Sequence, residues 1–232
     1  RELELNLVVD GGCRYLIDGQ RFDLGSGHLL WLPPGCHHLL IAADPGSTLW
    51  VAMVDLAGLR RRCPAAPLAA MRQGALCPVR PLARSAMVSL ADMFSRAAEA
   101  EDLARREAAL GLLVLEAWHV FLAADGLREA SAVHPAVARA TIQLTSNSAL
   151  DLADLARDCG LTSTTLRRRF HRDLGLSITA FRQRVHLERF RHLRGKHPRR
   201  TLLWCALEAG FGSYAQFHRV HRRLFGCAPH QS

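Results

Sequence analysis

The chain has 232 residues, of which 49% are hydrophobic, so a packed core is available and wholesale disorder is excluded. No apolar run reaches the ~18 residues that a membrane-spanning helix needs, and nothing at the start, which is Arg1, reads as a secretory signal. The net charge of +9 is uneven: residues 131–232 hold 17 Arg and Lys against 6 Asp and Glu, while residues 1–130 hold 13 against 15.

Residues 1–55 are short alternating runs separated by turn signals. LELNLVV leads into Gly11-Gly12, and CRYLI leads into Asp18-Gly19 and then QRFDL. Asp-Gly between alternating segments is a strong hairpin signal. HLLWL stops at Pro33-Pro34-Gly35, and STLWVAMVDL closes the set. These five runs and the candidate strand that carries His38 make six, which predict a small antiparallel barrel or sandwich over residues 1–57. Residues 58–80, with Pro64, Pro67 and Pro78 and the Arg60–Arg62 run, read as a surface linker, with Pro81 just beyond.

Residues 82–124 turn helical. Leu82, Met87, Leu90 and Phe94 begin one apolar face; Leu103, Leu110, Leu113, Val114, Ala117, Val120 and Phe121 make another. These faces need a cover, and a partner subunit is as good a candidate as the barrel. Residues 58–126 are therefore read as a linker plus a helical dimerisation segment. Residues 125–134 form a second linker. His134-Pro135 then opens a helix, since proline suits the first turn, and the rest of the chain reads as helical. The fold class is α+β multidomain: a small β-barrel, two connecting helices and an all-α domain over 132–232.

That last region contains a repeat. LADLARDCGLTSTTLRRRFHRDLG (152–175) returns as LLWCALEAGFGSYAQFHRVHRRLFG (202–226). Ala156 matches Ala206, Gly160 matches Gly210, Leu161 matches Phe211 and Ser163 matches Ser213; one extra residue then brings Leu166 onto Phe217 and Gly175 onto Gly226. In each copy a short helix carries a small residue for close approach, a glycine makes the turn, and Thr162-Ser163 or Ser213 caps the next helix. Leu166 and Phe170 pin that helix on one side, leaving Thr164, Thr165, Arg167, Arg168 and His171 on the other, with Arg169 at the core edge reaching towards a phosphate. In the second copy Phe217 is the anchor, and Tyr214, Ala215, His218 and Arg219 line the free face. Each copy is a helix-turn-helix whose second helix can enter a major groove. ITAFRQRVHLERFRHLR (178–194) between them predicts a rod of about 25 Å, enough to hold two such helices roughly one turn of B-DNA apart. The segregated positive charge points to the same polyanion, double-stranded DNA; a solvated basic surface is the plainer alternative.

Residues 135–229 resemble the DNA-binding domain of AraC/XylS-type transcriptional regulators, through the two repeat copies, FRQRVHLERFRHL and the closing GCAP. ELNLVVDGGCRYLIDGQRFDLGSGHLLWLPPG resembles the cupin-like regulatory domain that precedes it. The resemblance implies a cytoplasmic, nucleoid-associated promoter-binding regulator, an activator contacting RNA polymerase, a homodimer, and a small effector such as a sugar in the barrel. It places base-reading sites on Thr164, Arg167, Arg168, Ala215 and Arg219; Arg172, Tyr214 and His218 complete the expected DNA-binding set. Arginine paired with guanine is the commonest specific contact, so the first unit is expected to carry most discrimination. Four positions depart from the pattern: His221 replaces Phe, Ala228 replaces Ser, Arg194 replaces Leu, and Trp204 takes a usually polar place. His221 is expected to be a buried neutral ring, with a phosphate contact as the other reading.

Tyr15, Trp31, His38 and Trp50 are the aromatic or polar residues on candidate barrel strands, and they are the candidate effector contacts, with plain core packing as the alternative for each. His37-His38 are adjacent, so on a strand they face opposite ways; no metal site and no cofactor are expected, and His28 has still less support as a ligand. No nucleophile–base pair or phosphate loop is present, so no enzyme is expected. The seven cysteines form no C-x-x-C pair and read as reduced, mostly buried thiols of a cytosolic protein. Two rival readings are a regulator whose N-terminal part only dimerises, and a cupin-type enzyme with a DNA-binding appendage.

Overall fold

A computed structural model describes residues 2–63, 66–73, 77–126 and 131–229. Pro64, part of the second linker (127–130) and the last three residues lie outside that set, as does the side chain of Arg62. The strands are β1 (Glu2–Asp10), β2 (Gly12–Ile17), β3 (Gln20–Gly25), β4 (His28–Leu32), β5 (His38–Ala43) and β6 (Thr48–Asp55); then come α1 (Leu56–Arg62), α2 (Leu68–Gln73), β7 (Val79–Pro81), α3 (Arg84–Glu99) and α4 (Leu103–Ala123). After β8 (Ser131–Ala132) the described chain is helical: α5 (Pro135–Ser146), α6 (Leu152–Asp158), α7 (Ser163–Leu174), α8 (Ile178–Lys196), α9 (Leu202–Glu208) and α10 (Tyr214–Phe225). The N-terminal part is an antiparallel β domain of two four-stranded sheets, ordered β6-β1-β4-β7 and β5-β2-β3-β8. All six expected strands form. Asp18 and Gly19 turn β2 into β3 with φ of 46° and 77°, as a tight right-twisted hairpin requires.

Chain contacts divide the molecule into two compact units. The first holds residues 1–13, 23–36 and 43–130. Its sheet pairs β1 with β6 antiparallel, Leu5 opposite Ala52 and Leu7 opposite Trp50. Leu3, Leu5 and Leu7 of β1 and Leu29 and Trp31 of β4 join one core with Leu90 and Phe94 of α3 and Leu113, Val114, Ala117, Trp118 and Phe121 of α4. The sheet is thus the cover that the two apolar helix faces needed. Leu103, expected on the buried face, is 69% exposed because it opens α4, just after its N-cap, Asp102. The expected surface linker is also more structured than its prolines indicate. It contributes two short helices, a buried Met71 and Val79, and the edge strand β7, which pairs with β4.

The second unit holds residues 14–22, 37–42 and 131–232. Leu16, Leu39 and Ile41 from the strands share a core with α5, α6, α7 and the first half of α8. A separate core joins the second half of α8 to α9 and α10. The β2–β3 hairpin is tied into this unit: Arg21 donates Nη1 to the carbonyl of Asp173 at 2.7 Å. All seven cysteines are free, but fewer are buried than expected: Cys13, Cys159 and Cys205 are buried and the other four are half-buried. Burial beside Asp44 pushes the Cys13 thiol up to about 12, which makes it unreactive near neutral pH.

Candidate nucleic-acid interface

Each helix-turn-helix is built the same way. In the first, Asp151 caps α6 through the N–H of Ala153 at 2.7 Å. Ala156 is buried where α7 approaches. Thr162 caps α7, its hydroxyl accepting the N–H of Thr165 at 3.2 Å, and Gly175 ends it in the left-handed conformation. In the second, Thr201 caps α9, Ala206 is buried, Ser213 caps α10 by accepting the N–H of Gln216 at 3.2 Å, and Gly226 ends it. The cap positions correct the repeat alignment. Thr162, not Ser163, is the counterpart of Ser213, and the extra residue is Gly212, whose N–H is taken by the Gln216 side chain at 3.0 Å.

On α7, Leu166, Phe170 and Leu174 are buried, with Phe170 edge-on to Phe181 at 5.3 Å. At ~100° per residue, Thr164, Arg167, Arg168 and His171 fall in one sector on the opposite side, and all four are exposed. Thr165 leaves the expected face: it is half-buried, and its hydroxyl accepts that of Thr162 at 3.0 Å. Arg172 is exposed but pairs with Asp173 at 3.0 Å, and the same carboxylate accepts the N–H of His134 at 3.0 Å. Arg169 is half-buried at the core edge.

On α10, Ala215 and Arg219 are exposed and His218 is half-exposed. Tyr214 is half-buried, leaning on Phe217 at 5.5 Å and His218 at 6.3 Å. The sequence reading missed Arg222. It is exposed, lies four residues after His218, and is the counterpart of His171. Extending the face by one helical turn would have found it. His221 occupies the counterpart of the Phe170 site, 3% exposed between Phe217 and Phe225. Its Nδ1–H donates to the carbonyl of Cys227 at 3.2 Å. Burial holds its pKa below the ordinary 6.5, so the ring is neutral, and a buried ring cannot reach a phosphate.

The rod between the units is 19 residues long, about 28 Å at 1.5 Å per residue. Arg194, where leucine was expected, donates to the carbonyls of Pro198 and Arg200 at 3.1 and 2.9 Å and so secures the loop into α9. Trp204 is half-buried, with the Arg200 guanidinium 5.1 Å from its ring and the His197 edge at 5.5 Å. Beside α7 a groove of about 410 Å³ is lined by Arg167, His171, Ser177, Thr179 and Arg182. Ser177 caps α8 there, and Arg182 donates to the carbonyl of Leu150. Basic side chains and hydroxyls around a helix N-terminus suit a phosphate oxygen.

The four candidate effector residues are spread over both units. Trp31 is fully buried in the first, its indole N–H donating to the carbonyl of Met71 at 2.9 Å and its ring 4.7 Å from that of Trp118. Trp50, half-buried, stacks on Phe94 at 5.9 Å. In the second unit Tyr15 is buried and His38 is half-buried at the start of β5, with His37 exposed just before it. The first unit also holds a polar pair that the sequence reading did not single out. Glu4 and Asn6 share the face of β1 opposite its leucines; both are buried, and Asn6 Nδ2 donates to Glu4 at 2.8 Å. Alternation alone assigns such residues to solvent.

Among the described residues no helix is long and apolar enough to cross a membrane. No curated protein matches the chain. Among solved structures it is similar to ToxT from Vibrio cholerae (10% identity, 99% of this chain and 87% of that one, TM-score 0.46). It is also similar to the C-terminal domain of AraT, a response regulator from Geobacillus stearothermophilus (21%, 44% and 85%, 0.39), and to the AraC-like transcriptional activator CuxR (15%, 81% and 66%, 0.35). Two family models match: an AraC-like ligand binding domain over residues 1–113 and a helix-turn-helix domain over residues 137–232. A two-sheet β domain followed along the chain by two capped helix-turn-helix units agrees with these two matches, and the chain belongs to the AraC family of DNA-binding transcription regulators, a non-enzymatic family, with an N-terminal ligand-binding domain.

Proposed function

We propose that one chain lays α7 and α10 in successive major grooves of one promoter duplex and activates transcription there, by contact with RNA polymerase, when a small effector occupies the N-terminal domain. The observation that carries the DNA part is the pair of faces: Thr164, Arg167, Arg168 and His171 on one helix, Ala215, His218, Arg219 and Arg222 on the other, each pinned from behind by buried rings. Four arginines of these faces, Arg167, Arg168, Arg219 and Arg222, are exposed, and arginine reads guanine bidentately. Ala215 offers only a methyl contact. Arg172 and Tyr214 sit at the margins, where a phosphate contact suits them better than a base. The groove beside α7 takes the neighbouring phosphate.

A hydroxyl-bearing effector such as a sugar suits the buried Glu4–Asn6 pair, which brings hydrogen-bonding groups to the face of β1 opposite its leucines. Tyr15, Trp31, His38 and Trp50 remain candidate contacts. Dimerisation through the helical segment is supported by exposed Leu112 and Leu122 on α4, 62% and 60% exposed.

Selection from a random duplex library tests the reading. The expected product is a motif of roughly 17–20 bp with two boxes one turn apart, bound with an affinity that falls steeply with salt as phosphate counterions are released. A raised melting temperature with one class of sugar would support the effector, since a ligand that binds the native state stabilises it. An apparent mass of one chain at all concentrations would remove the dimer.

A further inference from the structure

The two hydrophobic cores of the DNA-binding region share no residue. Ile178, Phe181 and Val185 of α8 belong to the first, Leu187 and Phe190 to the second. Phe181 and Phe190 are nine positions apart, so at ~100° per residue they point to roughly opposite sides of the rod. Such a rod is anchored in each core, while the twist of one unit about the other depends on what else bridges them.

His186 stands at that bridge. Its Nε2 lies 2.8 Å from the hydroxyl of Ser148, a buried residue in the loop between α5 and α6. Arg189 donates Nη1 to the same hydroxyl at 3.2 Å, and Nη2 to the carbonyls of Thr145 and Ser146 at 2.8 and 3.2 Å, at the end of α5. The same imidazole meets the turn of the second unit. Phe211 packs edge-on against it, centroids 5.3 Å apart, and a Cβ on Gly210 would lie 3.0 Å from Nε2. That glycine also holds φ at +107°, so both backbone and contact restrict the position to glycine. The charged groups acting on the ring are Arg189 and Arg182 of its own helix; Ser148 on one side and Gly210 and Phe211 on the other bring no charge. Burial first, and those two arginines next, keep the ring neutral. Arg189 then donates to the Ser148 oxygen, and the hydroxyl proton is left for Nε2.

We propose that His186 is a positioning residue that fixes the twist of the second helix-turn-helix against the first, and thereby the box spacing that one chain accepts on DNA. The spacing part rests on the DNA-binding reading above; the joint itself does not.

Two experiments separate them. Without DNA, the His186 ring signal and the amide signals of Ser148 and Phe211 are followed by NMR between about pH 5 and 8. They should titrate with one common midpoint below 6.5, and the shared midpoint should vanish in H186Q. Separate midpoints, or a still Phe211, would overturn the joint. With DNA, the duplex selected by the wild-type chain is compared with one whose boxes are moved by about 5 bp, half a turn, and one with the second box scrambled. H186A should bind the scrambled duplex within about 2-fold of wild type, yet lose about 10-fold of the preference for the correct spacing. H186Q, whose side-chain oxygen can accept from Ser148, should restore most of that preference and provides the test if H186A folds poorly. An unchanged spacing preference, or equal losses on all three duplexes, would overturn the proposal. If no duplex is selected, the DNA-binding reading and the spacing role fall together, while the titration still decides whether the joint exists.

Discussion

The two helix-turn-helix units share a frame and differ in what they carry on it. Both have a hydroxyl at the N-cap of the outer helix, a buried alanine in the inner helix and a left-handed glycine at the end. Yet the first is cored by Leu166, Phe170 and Leu174 and presents Thr164, Arg167, Arg168 and His171. The second is cored by Phe217, Val220 and His221 and presents Ala215, His218, Arg219 and Arg222. Caps and turns set where a recognition helix lies; the outer residues are then free to change, and so, at some cost, is one ring of the core. His221 shows the cost, because its N–H has to find the Cys227 carbonyl, which a phenylalanine would not require.

The largest break in this comparison should come from the first core. Phe170 is fully buried against Phe181, and F170A should cost about 3–5 kcal/mol of stability, read by urea unfolding. Next comes reading. R168A should lose about 1–3 kcal/mol at one base position of the selected site; R219A should do the same in the other box. A uniform loss on every sequence would assign either arginine to phosphate only. Smaller again are the caps: T162A and S213A should each cost about 1 kcal/mol, and similar values would confirm that the two residues are counterparts. The smallest effect sharpens the contrast at His221. Its folded pKa is depressed, so its contribution is complete above 6.5 and stability is lost as pH falls below that value, where the unfolded chain takes up the proton first. H221F should flatten part of that slope and leave the part due to His186, whose pKa is lowered in the same direction.

The repeat was legible because helix periodicity and turn glycines are local signals. Its register was not fully legible: Ser163 and Ser213 match as letters, but the cap hydrogen bonds pair Thr162 with Ser213 and put the extra residue at Gly212. Six strands and the Asp18–Gly19 turn could be read from alternation. Strands β7 and β8, three and two residues long, carry too few positions to show any period. Nor could the pattern name what covers α3 and α4. An apolar stripe records only that a face is buried, and here Leu5, Leu7 and Trp31 of the sheet cover it. The Glu4–Asn6 pair escaped for a related reason, since polar residues in an alternating run read as solvated, whereas these two are buried.

The central claim is that α7 and α10 of a single chain occupy neighbouring major grooves. Methylation interference on the selected duplex, with the wild-type chain and with R168A and R219A, tests it most directly. The expected result is two guanine-rich patches on one face of the duplex, 10–10.5 bp apart from centre to centre, with R168A erasing one and R219A the other. A single patch, or two patches that both vanish with either substitution, would contradict it.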